Sequence, residues 1–157
     1  MKSLLSLLGK GLALLVVAAY GFGFLIETGY APSDRVQTHE EIGDKHLQVL
    51  LDEEIIGKDE HIQHFYSEGL LSVREGGSIL TDSRVIAYAE WEDEIEISDL
   101  TFDEVVSVEK VQEGTALDYA VYIVSGEGED NFVELWLPHE HGDADRFVNA
   151  LQANVDN

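Results

Sequence analysis

The chain reads as α+β, a strongly bent antiparallel sheet plugged by a C-terminal helix and preceded by an apolar N-terminal helix. Three patterns carry this expectation. Short β-type runs alternate with turn residues from 61 to 137, one amphipathic stripe closes the chain, and residues 4–26 are almost wholly apolar. Runs bounded by turn residues read as strands, and a 3.6-residue apolar period reads as a helix.

The N-terminal element comes first. Gly11–Ile26 contains 16 residues without a charge, and Leu4–Ile26 makes 23 mostly apolar residues interrupted by Ser6 and Lys10. About 20 helical residues cross a hydrocarbon core of ~30 Å, and a terminal lysine such as Lys10 can snorkel to the headgroups. Residues 1–31 therefore read as an uncleaved membrane anchor in preference to a signal peptide. Cleavage after Ala19 would leave YGFGFLI on the mature chain, and cleavage after Ala31 would set Pro32 at the new terminus. Lys2 and Lys10 precede the span, whereas Glu27 and Asp34 follow it. The positive-inside rule then predicts a single pass through the cytoplasmic membrane with the C-terminal domain outside. A cleaved segment would instead make the protein secreted or periplasmic.

Residues 32–57 form a connector and an amphipathic helix. Thr38 and Glu41 have capping-box spacing, and Leu47, Leu50, Leu51 and Ile55 recur at helical intervals. The expected helix covers 39–55, is weakened by Gly43 and stops at Gly57. The domain proper, 58–157, opens with candidate strands at 61–67, 70–75, 78–81, 84–91 and 94–97. Further runs lie at 105–111, 118–125 and 131–137. Turns are expected at Glu75–Gly77, Thr81–Ser83, Glu113–Gly114 and Gly126–Asp130. Both faces of 118–125 carry apolar residues, while Val133, Leu135 and Leu137 share one face of the next run. In the last helix Asp143 is the expected N-cap, and Ala144, Phe147, Val148 and Leu151 form the stripe.

Composition removes several function classes. The 157 residues suit one domain with or without an anchor, and the formal net charge is −23. From Thr28 onward there are seven bases and 31 acids. Such a body repels nucleic acids and anionic phospholipid headgroups, so neither is an expected partner. Without cysteine there is no disulfide, thiolate metal site or thiol nucleophile. The chain has no P-loop, no G-x-S-x-G and no H-E-x-x-H, so no enzyme and no cofactor are expected.

One resemblance is specific enough to state. Leu80, Thr81, Arg84, Val85, Ile86 and Tyr88 match the L-T-x-x-R-[VLI]-I-x-Y segment of bacterial pleckstrin-homology-like and GRAM-like domains. Phe102, Val105 and Val108 fit the following segment loosely, and 143–153 falls where that family has its capping helix. The resemblance covers about 58–153. It implies a bent antiparallel β-sandwich or barrel of about seven strands, capped by the helix and used as a binding platform. Lipid-binding members carry Lys and Arg between their first strands. This chain offers Arg74 there, flanked by Glu68 and Glu75, so phosphoinositide binding is not carried over.

Two clusters are candidate sites. His139 and His141, two apart, with Asp143 beyond, form a candidate divalent-metal site if the strand continues. The alternative is a polar turn with Asp143 as a helix cap. The second cluster, Glu90, Glu92, Asp93, Glu94, Glu96 and Asp99, contains no base and is a candidate surface for a basic protein partner. It lacks EF-hand spacing. His61 and His64 are expected on opposite faces of a strand, and the tryptophans in the core or in cross-strand pairs. The leading functional expectation is a membrane-tethered, non-enzymatic interaction or scaffold domain. The alternative is an extracytoplasmic divalent-cation-binding or sensing domain.

Overall fold

The computed structural model describes Gly21, residues 31–115 and residues 118–156. The expected anchor or signal segment, 1–31, lies outside the described residues apart from Gly21 and Ala31. Among the described residues no helix is long and apolar enough to cross a membrane.

Four strands, β1 (Ile62–Ser67), β2 (Gly76–Thr81), β3 (Arg84–Trp91) and β4 (Glu94–Thr101), form one antiparallel meander. A second antiparallel sheet contains β5 (Ser107–Gln112), β6 (Ala120–Ser125) and β7 (Phe132–Leu137). Helix α1 (Asp44–Asp52) precedes the sheets and α2 (Asp143–Val155) follows them.

Sequence alternation decides which face each strand buries. Val133, Leu135 and Leu137 of β7 are buried with Leu80, Val85, Leu100, Tyr122 and Val124 in a core shared by both sheets. Ala144, Phe147, Val148 and Leu151 of α2 complete it, as the expected stripe requires. The opposite face of the first sheet carries Phe65, Ile79, Ile86 and Tyr88. These pack with Leu50, Ile55 and Ile56 in a second core. Residues 42–56 thus form a layer on the outer face of the four-stranded sheet, whereas Val36 of the connector packs into the shared core, and β2 is buried on both faces. Residues 32–157 form one compact unit.

Three local expectations are corrected. The helix expected over 39–55 is a 3₁₀ turn, His39–Glu41, followed by α1, because Gly43 takes an extended conformation as N-cap and separates them. Helix α1 ends where Glu54 adopts φ 56°, which lets the Leu50 carbonyl accept from Ile55 N–H at 3.0 Å. Segment 70–75 is not a strand. The Glu75 carboxylate accepts the amides of Leu70, Leu71 and Ser72 at 2.9, 3.1 and 2.8 Å, so these donors need no ladder partner. Asp143 is not the N-cap of α2. Gly142, at φ 73°, holds that position, and Asp143 begins the helix.

The matched motif has a structural role. The Thr81 hydroxyl accepts the amides of Ser83 and Arg84 at 3.2 and 3.1 Å, closing the β2–β3 turn. Arg84 makes a bidentate pair with Glu60, two bonds of 2.7 Å, and reaches Asp99 at 2.9 Å. These bonds hold the Glu60 carboxyl down at about 2. Tyr88 donates its hydroxyl to Val73 O at 2.5 Å and pins the β1–β2 loop.

Candidate interaction surface

The β3–β4 hairpin carries most of the acidic cluster. Its eight-residue strands are joined by Glu92-Asp93, with φ of 51° and 70°, the two-residue turn whose twist matches antiparallel strands. Glu92, Asp93, Glu94, Glu96 and Asp99 are exposed. Trp91, beside the turn, is 68% exposed. The core or cross-strand expectation therefore fails for Trp91, which lies at the end of β3 beyond the layers that cover the sheet.

Two of the six acids are tied into the fold. Asp99 pairs with Arg84, and Glu90 pairs with Arg74. Arg74 also bonds Glu53 at 2.8 Å and the Asp93 carbonyl at 2.8 Å, joining the end of α1 and the hairpin turn to the β1–β2 loop. The base that occupies the lipid-phosphate region is therefore committed to three internal acceptors. The loop it anchors presents Leu70 and Leu71, 63% and 65% exposed. Sequence reasoning missed this pair because two leucines followed by Ser-Val read as strand. The signal was Gly69 before them and the Ser72–Glu75 capping spacing after them.

His139, His141 and Asp143 are close in sequence but differ in role. Asp143 is fully buried, and its oxygens accept from Arg35 at 2.7 and 3.0 Å, Arg146 at 2.8 Å and the Val36 amide at 3.0 Å. Burial opposes ionisation, but these donors prevail and lower its pKa. The cluster ties the connector to the start of α2. His139 and His141 are exposed in the turn before α2, with His141 at φ 59°. Among the described residues no group of three or more His, Asp or Glu is disposed to hold a metal ion. His61 precedes β1 and stacks 4.5 Å from His39, while His64 lies 6.1 Å from Phe147 on the face toward α2.

A four-stranded and a three-stranded antiparallel sheet, closed by a C-terminal helix and carrying its surface on loops, define a pleckstrin-homology-like fold. Solved structures have the same architecture. A DUF1696 family protein with a pleckstrin-homology domain from Shewanella loihica PV-4 is similar at 15% identity with TM-score 0.52, over 80% of this chain and 100% of that one. A pleckstrin homology domain from Shewanella amazonensis SB2B is similar at 15% identity with TM-score 0.50, over 73% and 98%. No protein-family model matches the sequence, and no curated protein does.

Proposed function

We propose that this protein is a membrane-tethered, non-enzymatic interaction module whose β3–β4 hairpin and β1–β2 loop meet a partner protein with a basic, partly apolar surface. The observation that carries the reading is the composition of that end of the domain. An exposed tryptophan flanks Glu92, Asp93 and Glu94, the loop with two exposed leucines is tied to the same turn through Arg74, and that base is engaged internally. A large aromatic inside a charged rim is the usual make-up of a binding hot spot. The same acids disfavour anionic lipid headgroups. Tethering through residues 1–31 would raise the local concentration of the domain, so weak contacts would suffice. The divalent-cation alternative is not carried forward, because the Asp143 oxygens are occupied by two guanidinium groups.

A photo-crosslinking residue at position 91 of the full chain, expressed in cells, tests this. The expected result is a specific adduct in the membrane fraction that is lost when Glu92, Asp93 and Glu94 are changed to Lys. An adduct pattern unaffected by that charge reversal overturns the surface, and release of the chain from membranes by alkaline extraction overturns the tether.

A further inference from the structure

Among the described residues, the inner face of the four-stranded sheet is fully covered only at one end. Around Leu80, Val85 and Leu100 it packs into the shared core. Farther along the same face, Ala87 opposes Ser98 and Ala89 opposes Glu96. These residues, with Glu68, line a cleft of about 330 Å³. Asp130 and the β7 residues Phe132, Glu134 and Trp136 line it too. Phe132 and Trp136 are 45% and 38% exposed.

β7 is the last strand of its sheet. Gly126 N–H donates to Asn131 O at 2.8 Å, while the neighbouring Ser125 carbonyl accepts from Val106 N–H on the β5 side at 2.7 Å. In an antiparallel ladder the direction of the backbone groups alternates residue by residue. Val133, Leu135 and Leu137 therefore bond to β6, and Phe132, Glu134 and Trp136 turn their amides and carbonyls to the free edge. Among the described residues no strand pairs with this edge, so the β7 residues that line the cleft also offer it an unpaired ladder.

We infer that an extended basic segment of a partner protein lies in this cleft, adds a strand to the free edge of β7 and sets Lys or Arg side chains among Glu68, Glu96, Asp130 and Glu134. Three features select that occupant. The free edge supplies backbone pairing, the small Ala87, Ala89 and Ser98 let a second backbone approach closely, and the charged side chains lining the cleft are all carboxylates. The rings of Phe132 and Trp136 offer cation–π faces to the same side chains. Desolvation and, after it, the neighbouring Glu134 charge push the Glu68 carboxyl up to about 7. This inference rests on the interaction-module reading but uses a different surface from the hairpin tip.

The test uses the full-length chain in non-ionic detergent and a fluorescent Lys-Val-Lys-Val-Lys-Val peptide, followed by anisotropy and amide hydrogen exchange. Saturable binding with slowed exchange across 131–137 is expected. Ser98→Arg, which fills the cleft from the exposed β4, and Glu68→Gln/Glu134→Gln should each weaken binding by about tenfold or more, whereas Glu92→Gln/Asp93→Asn/Glu94→Gln should change it by less than about twofold. Binding lost only in the hairpin variant, without protection at 131–137, overturns the cleft and leaves the hairpin surface standing. Absence of any binding overturns the cleft as well. So does protection of 131–137 that is present without peptide and disappears on dilution, which would mean that a second copy fills the edge.

Discussion

Asp143 illustrates how single residues divide between fold and surface. It holds Arg35, Arg146 and the Val36 amide from a fully buried position. Removing its charge leaves two guanidinium groups without their anion. Both arginines keep solvent contact, which moderates the loss, so Asp143→Asn should cost on the order of 2 kcal/mol at pH 7. The sign with pH follows from the lowered carboxyl pKa. Its stabilisation is present above the ordinary carboxylate range and is lost as pH falls through the depressed native value. Urea titrations at pH 7 and pH 3 should show a large gap between wild type and variant at pH 7 that narrows at pH 3. A gap of equal size at both would contradict the ionic account. Glu68 has the opposite sign. Its raised pKa favours the protonated form, so its ionisation destabilises the fold as pH rises through about 7.

Among the elements, α1 shows most clearly how local sequence acquires meaning from packing. Nine residues with a Gly N-cap make a marginal helix in isolation. Leu50, fully buried, seats it on Phe65, Ile79 and Ile86 of the four-stranded sheet. Leu50→Ala should lower stability by about 2–4 kcal/mol, measured as a shift of the denaturant midpoint with little change of slope. A loss below about 1 kcal/mol would mean that the helix is not an integral layer. The hairpin is a second case. Glu92 and Asp93 both sit at positive φ, where Asn-Gly is the favoured pair. The chain keeps two acids at that turn instead, in agreement with the binding role proposed for it.

For the whole molecule, charge sets the background against which every local interaction operates. A formal net charge of −23 destabilises the compact state through self-repulsion, and salt screens it over roughly 10 Å at 0.1 M. Raising NaCl from 10 to 300 mM should therefore increase the melting temperature by several degrees, seen by circular dichroism. An unchanged or lowered midpoint would show that the internal pairs, Arg84 with Glu60 and Arg74 with Glu90, outweigh the repulsion. Those pairs lie within the fold, so the remaining exposed field is overwhelmingly acidic. That asymmetry favours basic partners at both the hairpin and the cleft.

The order and type of the main elements were legible in the residues themselves. Strand period, turn residues and the α2 stripe are local properties, and seven of the eight runs read as strands are strands. The exception, 70–75, depended on one carboxylate curling back onto three amides, a contact that no periodicity encodes. The acidic cluster was legible as composition, but its division into paired Glu90 and Asp99 and outward Glu92, Asp93 and Glu94 was not. Arg74 and Arg84 reach their partners across 16 and 15 residues of chain, one from the β1–β2 loop and the other from the strand beside β4. The placement of residues 42–56 on the outer face of the four-stranded sheet, and the cleft beside β7, also required the tertiary structure. Burial of a face and freedom of an edge are decided by what the chain brings to them from a distance. Local sequence specifies only that a face is apolar or that an edge can pair.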